Sequence, residues 1–166
     1  LISRSLEVME QDELRVFQVF LKWASSVMIG HGHFTHWHQD EFPASLSPEI
    51  VGGLLRKNWN YQGLVMTDDL EMGAIAQRFG AAEASCRAVE AGNDMLLICH
   101  NPACAQLSRE SLDTVDDAVM AATLNRIRHF KSKLAPAPSA WNAQRFTTLK
   151  QQTEELRKRV LQDIGA

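Results

Sequence analysis

The sequence predicts an α/β chain of about three parallel strands flanked by helices. The apolar runs "SVMIGH", "LVMTD" and "MLLIC" lack the polar alternation of a strand with one wet face, which marks them as covered strands of a parallel sheet. They alternate with stretches of helical periodicity, in the order helix, strand, helix, strand, helix, strand, helix. A proline-rich break, "LAPAPSA", then sets off a last charged helix.

Taken in order, residues 6–23 place Leu6, Met9, Leu14, Phe17, Phe20 and Leu21 at roughly helical spacing and predict one helix. "SVMIGH" (26–31) is short, apolar and closed by Gly30, and reads as the first strand. Ser47 is a natural N-cap, and Pro48 suits a first helical position. Ile50, Leu54 and Leu55 supply that helix's apolar face, although Gly52 and Gly53 weaken it. "YQG" is a turn and "LVMTD" the second strand. The helical stretch that follows is interrupted near Gly80 and stopped at Gly92 of "AGND". "MLLIC" (95–99) is the third strand, and residues 103–133 are mostly helical. This gives an α/β region over 1–133, a Pro/Ala-rich linker over 134–146 and an amphipathic helix over 147–166.

Composition narrows the function classes. The chain has 166 residues, 45% hydrophobic and 22% charged, as an ordinary globular domain has. A net charge of −3 offers no basic surface for nucleic acid. No apolar run approaches the ~20 residues a membrane helix needs, so no membrane partner is expected. Cys86, Cys99 and Cys104 are odd in number and lack a CxxC spacing, which suggests reduced thiols and a cytoplasmic setting. The chain opens on Leu1 rather than Met, with residues that already read as helix entry, and is expected to be a piece of something longer. A closed (β/α)₈ barrel takes about 250 residues, so these strands form part of one or a small open sheet with two bare edges.

Two constellations could carry chemistry. Side chains alternate along a strand, so Leu64, Met66 and Asp68 share one face of "LVMTDD" and Val65, Thr67 and Asp69 the other. If the first face is a barrel interior, Asp68 sits at the carboxyl-terminal rim, where barrel enzymes carry their chemistry, and Asp69 caps a helix starting at Leu70. Alternatively, both aspartates are caps or solvated loop residues. The second constellation is "GHGHFTHWHQDE", with His31, His33, His36 and His38. Imidazoles at a strand end are metal ligands in some barrel hydrolases, which would make the chain a metal-dependent hydrolase. The plainer reading is a loop whose histidines form hydrogen bonds and stack on Trp37.

The flanks of Asp68, "PASLSPEIVGGLLRKNWNYQGLVMTDDLEMGAI" and "AVEAGNDMLLICHNP", resemble glycoside hydrolase family 3, in particular its bacterial β-N-acetylglucosaminidase branch. The resemblance extends over residues 1 to about 133. It implies part of a (β/α)₈-like catalytic barrel and a retaining hydrolase of terminal β-N-acetylglucosaminides, of the type that recycles cell-wall sugars. The first aspartate after the Ser/Thr is the family's nucleophile, which carries over to Asp68. Met72 matches a methionine expected to wall the sugar pocket, and His31 a strand-end histidine expected at the substrate site. The family needs no metal or cofactor. Its acid/base loop and the residues that grip the sugar fall upstream of the matched region, so this chain carries the nucleophile alone and is expected to be inactive by itself. Pairing with an amino-terminal half, or self-association as a non-catalytic assembly module, would meet the need of its open edges.

Overall fold

Each apolar run forms a strand, and the strands pair in chain order. The computed structural model describes residues 2–37, 42–135 and 141–163. In it β1 (Ser26–Ile29), β2 (Leu64–Asp69) and β3 (Met95–Leu97) form one sheet in the order β1-β2-β3. Both pairings are parallel, with Val27 opposite Val65 and Met28 opposite Met66. Between β2 and β3 the register shifts from Met66–Met95 to Asp69–Leu97. There the Thr67 hydroxyl accepts the Leu97 N–H at 3.1 Å, filling the gap in the ladder. Parallel direction gathers the carboxyl ends of all three strands at one rim, which therefore holds His31, Asp68, Asp69 and Cys99.

The connections start where side chains can satisfy free backbone donors. A 3-10 turn, Ala44–Leu46, leads into a wide π-type helix, Pro48–Asn58, whose first turn is capped by Ser47 accepting the Ile50 N–H at 3.3 Å. That helix closes wide, with the Trp59 N–H bonded to the Leu54 carbonyl five residues back. After β2 come α3 (Gly73–Ala76) and α4 (Ala81–Ala91), the latter ended by Gly92 at φ 114°, a left-handed conformation that favours glycine. α5 (Pro102–Ser111) is capped by Asn101, and α6 (Asp117–Ser132) by Asp116.

Residues 6–23 do not form the single helix expected. They divide into α1 (Leu6–Gln11) and α2 (Glu13–Phe20) because Asp12 leaves the helical region, at φ −111° and ψ −96°. The carboxylates of Asp12 and Glu13 both turn to Arg4, the first at 3.0 Å. On α2 and just after it, Val16, Phe17, Phe20 and Trp23 remain exposed.

Alternation along the strands decides where the core sits. Val65, Val27 and Ile29 face the helices and pack with Val51, Leu55, Tyr61 and Ala91. Leu96 and Ile98 join Leu46, Leu70, Ile75, Ala84 and Ala88 in a second cluster. Leu46 and Ile75 are wholly enclosed, each worth about 1.5–3 kcal/mol of apolar transfer. On the opposite face Met28, Met66 and Met95 form a row; Met28 and Met95 are exposed, whereas Leu64, at the start of β2 on the same side as Met66, is buried. Helices thus cover one face of the sheet, and among the described residues the other face is open along its methionine row.

Gly63, entering β2, fills a place no larger residue fits. A Cβ there would meet the Tyr61 hydroxyl and lie 2.8 Å from the Ser25 carbonyl oxygen, while Tyr61 is held by donating to the Ala24 carbonyl at 3.1 Å. Gly63→Ala is therefore expected to lower stability by about 1–3 kcal/mol in urea titrations, and an unchanged midpoint would contradict this packing.

The chain divides into two compact units, Leu1–Lys133 and Leu134–Ala166. The second contains α7 (Ala143–Asp163), which starts ahead of the expected residue 147 because the Asn142 side chain accepts the Arg145 N–H at 2.9 Å. Its stripe of Phe146, Leu149, Leu156 and Val160 is exposed.

Candidate active site

The two aspartates that end β2 have different surroundings. Asp69 faces the helices with Val65 and Thr67 and is only 8% exposed, so its carboxylate needs partners. It has them. Oδ1 accepts the N–H groups of Glu71 at 3.1 Å and Cys99 at 3.3 Å, and Oδ2 lies 3.1 Å from Nδ1 of His100. Glu71 adds to this anchor by accepting the N–H groups of His100 at 2.6 Å and Asn101 at 3.0 Å. Together the two carboxylates fasten the turn after β3 to the end of β2.

Asp69 does not cap a helix beginning at Leu70. Its carbonyl accepts the Met72 N–H at 3.0 Å, closing a turn, and α3 starts later, at Gly73. The carboxylate is spent on that turn and on β3.

Asp68 points to the open face with Met66 and is half-buried. Oδ1 accepts the N–H of Asp69 at 2.8 Å, which sets the carboxylate's orientation from its own backbone. Among the described residues it forms no ion pair. An oriented carboxylate free of a cation is chemically available as a nucleophile. The rim is rich in negative charge: desolvation first, then the charges of Asp69, Glu71 and Asp68, hold the exposed Cys99 thiol above its ordinary pKa and keep it protonated at neutral pH.

Met72 stands at the same rim, 46% exposed, just before α3. His31 is half-buried, with Nδ1 2.7 Å from the Ser45 hydroxyl and Nε2 2.8 Å from the Asp69 carbonyl oxygen. The rest of the histidine run does not converge with it. The His33 carbonyl accepts the Ile2 N–H at 2.8 Å, His36 is exposed, and His38 lies outside the described residues. Trp37 stacks on Phe34, with ring centroids 4.0 Å apart. Among the described residues, the trio that brings three potential ligand atoms within 4.8 Å of one another is Asp69, Glu71 and His100. Four backbone N–H groups already bond to three of the four oxygens of its two carboxylates, and the fourth, Asp69 Oδ2, faces His100 Nδ1, so in this structure the trio anchors loops.

Sequence reasoning missed the polar supports. Asn93, wholly buried, donates through Nδ2 to the carbonyls of Ser45 at 2.8 Å and Ala88 at 2.7 Å. Asp94, its side chain fully enclosed, accepts from Arg56 at 2.6 Å, from Nε of Arg126 at 2.6 Å and from the Val65 N–H at 2.9 Å. Arg56 also donates to the carbonyls of Gly92, Tyr61 and Gly63, and burial holds its guanidinium below the ordinary arginine value against the opposing pull of Asp94. The signal was the "ND" of "AGND": two consecutive polar residues between a helix stop and an apolar strand.

The family model described as the glycosyl hydrolase family 3 N terminal domain matches residues 1–132. A β-hexosaminidase from Nitrosospira multiformis is 28% identical over 126 residues, covering 76% of this chain and 36% of that protein. One from Tolumonas auensis is 32% identical over 101 residues, 61% of this chain and 30% of the other. The solved structure of a glycoside hydrolase family 3 β-N-acetylglucosaminidase from Paenibacillus sp. str. FPU-7 superposes with a TM-score of 0.73 at 25% identity, over 86% of this chain and 29% of that one. The chain thus spans about a third of the length of these relatives.

Proposed function

This chain belongs to glycosyl hydrolase family 3, of β-hexosaminidase-like type, and from that premise we propose that it is the nucleophile-bearing arc of a retaining β-N-acetylglucosaminidase acting on terminal amino sugars of cell-wall origin. The observation that carries this reading is the division of labour between the aspartates: Asp69 is committed to holding loops, while Asp68 is oriented by the Asp69 N–H and, among the described residues, forms no ion pair.

In this mechanism Asp68 attacks the anomeric carbon as the glycosidic bond breaks, through a transition state of oxocarbenium character. A general acid protonates the departing oxygen, and water later attacks the glycosyl ester, returning Asp68 to its free carboxylate. Met72 provides an apolar wall for the sugar. The acid/base and the groups that grip the sugar come from the part of the barrel that this chain does not contain. The rim's carboxylates favour the positive charge that develops on the sugar ring.

A mechanism-based fluorinated glycoside tests the assignment on this chain assembled with the amino-terminal portion of a homologous β-hexosaminidase. Peptide mapping is expected to find the glycosyl adduct on Asp68, and Asp68→Asn to prevent it. An adduct on Asp69 would overturn the proposal.

A further inference from the structure

Resting on that reading of Asp68, we infer that His31 is a positioning residue for the nucleophile and leaves the sugar untouched. Its Nε2 lies 2.8 Å from the Asp69 carbonyl oxygen, and a carbonyl only accepts, so Nε2 carries the proton. In the neutral ring Nδ1 is then bare, and the Ser45 hydroxyl at 2.7 Å donates to it. Ser45 is wholly buried, and its own carbonyl is fixed by Nδ2 of the wholly buried Asn93 at 2.8 Å. Hydrogen bonds therefore run in series from the core, through Ser45 and the imidazole, to the backbone of Asp69.

That backbone orients Asp68. The Asp69 N–H donates to Asp68 Oδ1 at 2.8 Å, so the torsions of Asp69 fix the carboxylate. His31 holds the carbonyl side of the same residue, joining the ends of β1 and β2. With both ring nitrogens engaged, His31 has neither a lone pair nor an N–H left for a sugar hydroxyl.

The test uses this chain without substrate, so its result is independent of whether Asp68 accepts a glycosyl group. In His31→Ala, the Asp69 amide is expected to exchange with solvent about tenfold or more faster relative to the Val65 amide, which Asp94 holds at the other end of β2. His31→Gln, which keeps a donor for the Asp69 carbonyl, should restore protection. Equal acceleration at both amides, no acceleration, or Gln behaving like Ala would overturn the inference. Nitrogen-15 NMR of His31 in the unaltered chain decides the matter even if the variants fail to fold. A ring protonated at Nε2 and bare at Nδ1 supports the inference, and the opposite tautomer overturns it.

Discussion

Asp94→Ala will cost the first unit about 3–5 kcal/mol, the largest stability loss expected of any single substitution in this chain. The carboxylate is fully enclosed and serves three donors at once: Arg56, Arg126 and the Val65 N–H. Removing it leaves the Arg56 guanidinium, itself only 14% exposed, without its counter-charge, and the Val65 N–H without an acceptor. A domain of this size has about 5–15 kcal/mol in total, so the variant loses a large share. Asp94→Asn keeps the shape and an acceptor oxygen and should fall between the two. Urea denaturation followed by circular dichroism measures both. A loss below about 1 kcal/mol for Asp94→Ala would mean that water screens the cluster as it does a surface pair.

The fold was legible where burial alone decides. Parallel strands under helices read as continuous apolar runs, and "SVMI", "LVM" and "MLL" did so without help from distant residues, although Met28 and Met95 on the face away from the helical core are exposed. Ser47, Pro48 and Gly92 announced helix ends through local chemistry, and each acts where its chemistry predicts. The break at Asp12 was not legible. The apolar spacing of residues 6–23 continues through it, and nothing local marks Asp12, whose carboxylate, like that of Glu13, turns to Arg4 from eight or nine residues away. The π-type width of Pro48–Asn58 was equally hidden, because the stripe of Val51, Leu54 and Leu55 serves either helix type.

At the rim, strand parity separated Asp68 from Asp69 before any coordinates, since period-two alternation requires opposite faces. The partners of Asp69 could not be read that way. Cys99 and His100 stand thirty residues on in the chain, and only the β2–β3 pairing brings them to the aspartate. The histidine run shows the converse failure. Closeness in sequence suggested a cluster, yet His31 turns to Ser45 and Asp69 while His36 faces outward. A strand end fans its following residues apart, so clustering requires convergence from several elements.

Assayed by itself, this chain is expected to hydrolyse no aryl N-acetyl-β-glucosaminide at a useful rate, and to gain activity when mixed with the amino-terminal portion of a homologous β-hexosaminidase. A glycosidase has to protonate the leaving oxygen as its nucleophile attacks, and general acid help is typically worth ~10²–10⁴-fold. Holding the sugar in line with the carboxylate supplies up to about 7–11 kcal/mol more. On that face Asp68 has Met66 beside it, and among the described residues no further strand stands opposite, since the sheet has three strands and Met28 and Met95 of its methionine row are exposed. Water reaches such a half-buried carboxylate, and among the described residues no cation pairs with it. Release of aryl alcohol by the chain, by the homologous portion and by the mixture would be compared, each with the Asp68→Asn variant. Only the mixture with Asp68 intact should turn over. Robust turnover by the chain alone, abolished by Asp68→Asn, would show that a general acid resides within these residues. His100, 79% exposed with Nδ1 against Asp69, would then be the first side chain to replace.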